Sequence, residues 1–151
     1  MRVLPRRHQC PPVTALLFSG ILKGMYQQDY ILRMIETVGA VFRRMVFLIQ
    51  NGRLADALTL SREAIEQASD TDPALIDSLT ADGILQLFSI GGTLDASRTA
   101  LLGMALRHRA SVLAASGDLE EAALQREKAE ALLTAAIQAE PELAKIVDAL
   151  N

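Results

Sequence analysis

Apolar residues dominate one long stretch, from Tyr30, Ile31 and Leu32 through Met34, Ile35, Val38, Ala40, Val41 and Phe42 to Met45, Val46, Phe47, Leu48 and Ile49. Most recur three or four positions apart. At about 100° per residue nearly all fall on one arc of roughly 160°. Arg33, Glu36, Thr37, Arg43 and Arg44 take the other side. The pattern predicts an amphipathic helix over residues 30–49. Asp29 is its expected N-cap, and Asn51-Gly52 its left-handed stop. Leu32 and Phe47 depart from the stripe and fall near its polar side. Isolated exposed apolar residues are ordinary. The alternative is a second contact surface, for a partner or for another copy of the chain.

The 3.6-residue period continues beyond Gly52. Leu54, Ala57, Leu58, Ser61, Ile65 and Ala68 form one face of a second helix, expected antiparallel to the first because the connection is short. "DTDP" breaks it, and Asp72 with Pro73 can open a new turn. Two short helices are expected over 73–79 and 81–89, the second capped by Thr80 and weakened by Gly83. "IGGTLD" is expected to be a loop, since paired glycines are costly inside a helix. A long helix follows over 94–115, with Leu94, Leu101, Leu102, Ala105, Leu106, Val112 and Leu113 inward. After the "SGD" turn, Asp118 and Glu121 have the spacing of a capping box. The helix they start runs to Ala139, and "PELAKIVDAL" makes a last short one. No stretch sustains strand alternation, so the predicted fold is all-α, built of antiparallel helical hairpins.

One phrase occurs twice. "GRLADALTLSREAI" and "GDLEEAALQREKA" each place Ala five and twelve residues after a turn glycine: Gly52, Ala57 and Ala64, then Gly117, Ala122 and Ala129. Small residues let one helix sit tightly against another, and Gly lets the chain reverse. Ala110 adds a small position on the preceding helix. The spacing resembles tetratricopeptide repeats. The usual aromatic positions are absent, however, and no proline closes either unit. A groove-forming solenoid needs about three repeats. Two hairpins with repeat-like packing are therefore expected, rather than a complete peptide-binding superhelix.

The stretch "MYQQDYILRMIETVGAVFRRMVFL" resembles the start of a bacterial family of small helical proteins, domain-of-unknown-function 6483. The residues that carry the likeness are Gln28, Asp29, Tyr30, Arg33, Met34, Ile35 and Glu36. "SLTADGILQLF" and the helix from Gly117 extend it to about residue 139, with Gly83 standing where the family pattern suggests an acidic residue. The resemblance implies a helical, repeat-like fold and supplies no activity.

Residues 1–24 lie outside that likeness. "MRVLPRRHQCPP" followed by "VTALLFSGIL" imitates a signal peptide, but no small-x-small cleavage site follows. The apolar run is also too short to span a bilayer. The preferred reading is a start at Met25, with 1–24 a loosely packed leader and 25–151 a single helical domain.

Composition narrows the function classes. The chain of 151 residues is 50% apolar and 22% charged, with a net charge of −3. It lacks the basic footprint of a nucleic-acid binder. The one cysteine, Cys10, excludes an intrachain disulfide and fits a reducing cytoplasm. The two histidines, His8 and His108, are far apart in sequence, and His108 in "RHR" is expected on the solvated side of its helix. No Cys or His pair has metal-ligand spacing, "DTDP" lacks the rest of a calcium loop, and no serine has a nearby histidine to activate it. No catalytic residue, metal or cofactor is assigned. Asp29, Arg33 and Glu36 form an i,i+4 pair with a neighbour, ordinarily a surface ion pair. Joined by Arg43 and Arg44, they could instead be a recognition patch.

The expectation is a non-enzymatic, cytoplasmic helical protein acting through protein–protein contact. Self-association is favoured, with Leu32, Phe47, Arg33, Glu36, Arg43 and Arg44 as the candidate surface. The rival is a peptide or small-molecule binding module with a pocket between the hairpins, near the two-glycine loop.

Overall fold

The computed structural model describes the backbone of residues 13–151 and the side chains of residues 32–151. The leader residues 1–12, with His8 and Cys10, and the side chains of Gln28, Asp29 and Tyr30 lie outside the described residues. Seven helices and one two-stranded hairpin are present among the described residues: α1 (Val13–Gln50), α2 (Leu54–Ser69), α3 (Pro73–Ser78), α4 (Ala81–Leu87), β1 (Ser89–Ile90), β2 (Thr93–Leu94), α5 (Ala96–Ala115), α6 (Leu119–Ala139) and α7 (Leu143–Ala149). The fold is all-α. Two units divide the chain, Met1–Arg33 and Met34–Asn151. In the first, the backbone is helical from Val13, and Leu32 and Arg33 are exposed. The helix passes through position 29 without a break, so Asp29 does not start it. The packing described below belongs to the second unit.

The helix boundaries follow from side-chain caps. Asp72 accepts from the Ala74 N–H at 2.9 Å and opens α3, with Pro73 at its first position. Thr80 accepts from the Gly83 N–H at 3.1 Å and opens α4. Asp95 accepts from the Arg98 N–H at 3.1 Å, and Asp118 from the Glu121 N–H at 3.3 Å. Each bond satisfies one of the donors that a helix start leaves without an intrahelical partner.

The two repeated turns share one stop. At the end of α1 the Arg53 N–H reaches back to the Leu48 carbonyl at 2.9 Å, and Gly52 has φ +70°. At the end of α5 the Asp118 N–H reaches the Leu113 carbonyl at 3.0 Å, and Gly117 has φ +88°. Both are six-to-one closures that need a left-handed residue.

The predicted "IGGTLD" loop is instead a minimal antiparallel hairpin, with Ile90 paired to Thr93 and Ser89 to Leu94. Gly91 and Gly92 both have positive φ, 60° and 81°. Two such residues make the tight turn whose twist suits a two-residue hairpin. The Asp95 N–H closes its base on the Phe88 carbonyl at 2.9 Å.

α5 is the central helix. From Thr99 to Leu106 every side chain is buried, so it has no solvent face over two turns. It packs along α6 and also against α2. α6 comes close at Gly103, where an added Cβ would lie 2.8 Å from Leu133 Cγ and 3.3 Å from the Ala129 carbonyl oxygen. The small residues singled out by the repeat phrase, Ala57, Ala64, Ala110, Ala122 and Ala129, are all buried. Val38, Phe42, Met45 and Leu48 bring the last turns of α1 into the same core. Ala40 and Val46, expected inward, face solvent. The buried hydroxyls are satisfied within their own helices: Thr99 donates to the Asp95 carbonyl at 2.7 Å and Ser69 to that of Ile65 at 2.6 Å.

Candidate interaction surface

The exposed side of α1 in the second unit carries Glu36, Ala40, Arg43, Arg44, Val46 and Phe47. Phe47 is 58% exposed and Val46 41%. The chain has four phenylalanines. Of the other two whose side chains are described, Phe42 and Phe88 are buried to 2% and 4% exposure. Phe88 lies beneath the Arg98 guanidinium, 5.7 Å from its ring centroid. Phe47 alone among the described phenylalanines is left in water. Its carbonyl accepts from the Asn51 side chain at 2.8 Å and from the Asn51 N–H at 3.0 Å, which fixes the last turn beneath it.

The sequence-predicted surface is divided by the structure. Leu32, 56% exposed, and Arg33 belong to the first unit, whereas Glu36, Arg43, Arg44 and Phe47 belong to the second. Other exposed apolar side chains escaped the periodicity argument: Leu75 on α3, Leu87 on α4, Ile90 in the hairpin, and Leu119 and Leu124 on α6. Ile90 is the most exposed of these, at 81%.

Arg44 and Leu48 also line a shallow groove of about 280 Å³ between α1 and α2, with Arg53, Asp56, Thr59, Leu60 and Glu63 on its other wall. Two of these lining residues, Arg53 and Asp56, form an exposed ion pair at 2.7 Å. A neighbouring groove of about 460 Å³ is lined by Thr59, Arg62, Glu63, Glu66, Asp72 and Pro73. Both are open to solvent and lined mostly by charged and hydroxyl residues of mixed sign. Ligand pockets are usually enclosed and mainly apolar. Neither groove is lined by a residue of the two-glycine hairpin.

The "RHR" segment is not a solvated patch. Arg107 donates to Glu130 Oε1 at 2.8 and 3.0 Å and to Asn151 Oδ1 at 2.6 Å. Arg109 pairs with Asp77 at 3.2 Å. His108, expected at the surface, stacks on Phe42 with its Nε2 3.3 Å from the Leu150 carbonyl oxygen. That acceptor selects the tautomer protonated on Nε2. Burial pushes the imidazole pKa down, and the Arg107 charge adds to the effect, while the bond to Leu150 works against it. Lys128 donates to the Ile76 carbonyl at 3.2 Å and so ties α6 to the end of α3. These three basic residues of α5, and Lys128, therefore hold the fold together. Helical periodicity could not reveal this, because each meets a residue distant in sequence.

No group of three or more potential metal-ligating side chains is assembled among the described residues. No helix among them is long and apolar enough to cross a membrane. Comparison with protein-family models, with curated proteins and with solved structures finds no match.

Proposed function

We propose that this is a non-enzymatic helical protein that acts through protein–protein contact, by self-association along α1. The observation that supports it is Phe47, a mostly exposed aromatic ring beside Arg43 and Arg44 in a chain with only 4% aromatic residues. Aromatic and arginine side chains together are the composition that interface cores favour. An aromatic ring left in water forgoes burial worth on the order of 2 kcal/mol. A cytoplasmic setting and membership of the domain-of-unknown-function 6483 family are part of the same proposal. So is the repeat-like packing of the two hairpins, for which the matched turn closures and buried alanines speak.

The test compares size-exclusion profiles of the full chain and its Phe47→Glu variant over a range of concentrations. Association lost in the variant, with helical content unchanged, supports the proposal. Equal profiles overturn the role of α1. The rival reading, a peptide held in the mixed-charge grooves along α2, would instead show as a monomer stabilised by an added peptide.

A further inference from the structure

We infer that the occupant of the exposed α1 face is a second copy of this chain, laid antiparallel, with Glu36 of each copy opposite Arg43 of the other. The inference rests on the self-association reading above and specifies its register. Glu36, Ala40, Arg43 and Phe47 are spaced four, three and four residues apart, and all four are exposed. At about 100° per residue they fall within a stripe some 60° wide, the seam along which two helices meet. Glu36 and Arg43 are seven residues apart on one helix, about 10 Å along its axis, so they do not meet within a chain. Among the described residues neither takes part in an ion pair.

The signs of the charges choose the direction. Parallel copies in register would set Glu36 against Glu36 and Arg43 against Arg43, two like-charge contacts. Antiparallel copies with a two-fold axis beside Ala40 set Glu36 against Arg43 twice, because a two-fold contact repeats every pair. Beside the axis stands Ala40, exposed and small enough for the backbones to come close, while Gly39 is covered by Leu150 of its own chain. Charges placed this way contribute more to orientation than to raw affinity.

Charge reversal tests the register. Sedimentation of the full chain is compared with that of Glu36→Lys, Arg43→Glu and the double variant, each checked for helical content. The register predicts that either single reversal weakens the dimer about tenfold or more, since each creates two like-charge contacts. The double variant restores it, because the opposite charges face each other again. A parallel pair would gain nothing from the double reversal. A wild-type dimer indifferent to all three variants overturns the register and leaves self-association standing. A wild-type chain that stays monomeric overturns both.

Discussion

His108 stacks on Phe42 with ring centroids 4.2 Å apart and 26° between their planes, joining the centre of α5 to α1. Leu150, at the end of α7, completes the contact through its carbonyl and through its side chain, which lies 3.0 Å from where a Cβ on Gly39 would stand. Three helices thus meet at one imidazole.

That position makes stability depend on pH. Burial holds the folded-state pKa of His108 below its ordinary value of about 6.5. Above about pH 6.5 the ring is neutral in both states and its packing contributes fully. Below it the unfolded chain binds a proton that the folded chain resists, so stability falls with pH until the folded pKa is reached. Urea midpoints between about pH 7.5 and 5 should therefore drop on acidification, in a range where most carboxylates stay ionised. His108→Gln should flatten that slope. An equal slope in the variant would assign it to other groups.

Gly103 governs how closely α5 and α6 approach. Gly103→Ala would bring a methyl within 2.8 Å of Leu133 Cγ, against a buried side chain and the Ala129 backbone. The gain in helix propensity, about 1 kcal/mol, is outweighed by overpacking of about 1–3 kcal/mol. A net loss of stability is expected in chemical denaturation. An increase would show that Leu133 can move aside.

The Asp118 and Glu121 pair has the spacing of a capping box, but one half of the box forms. Asp118 accepts from the Glu121 N–H, whereas the Glu121 carboxylate accepts from the Gln125 side chain at 2.9 Å. The Asp118 N–H is already taken by Leu113 in the turn closure. Asp118→Ala should therefore cost about 1 kcal/mol. Glu121→Ala should cost less, and equal losses in thermal melts would contradict this division of labour.

The same pair shows what the sequence could and could not reveal. Local chemistry was legible at Asp72, Thr80 and Asp118, which cap helices through bonds spanning two or three residues, but not at Asp95, which caps α5 where the apolar pattern had started the helix at Leu94. Gly52 and Gly117 announced their turns. Direction of burial was legible for α2, whose one apolar face is its buried face. For α5 the positions read as inward from Leu101 to Leu113 are buried, but the burial of every side from Thr99 to Leu106 was not legible, because a central helix has no polar face there to mark it. The burial of His108 was not legible either, since flanking arginines suggested water while their partners, Glu130, Asn151 and Asp77, lay in distant segments. On α1 the exposure of Phe47 was foreseen, and that of Val46 was not.

The central claim is that α1 brings copies of the chain together. Light scattering after size exclusion, on the full chain at rising concentration, tests it most directly. The account predicts a mass that climbs towards twice the chain's 16.4 kDa. A mass that stays at 16.4 kDa across the range, in a chain with its full helical content, would contradict it.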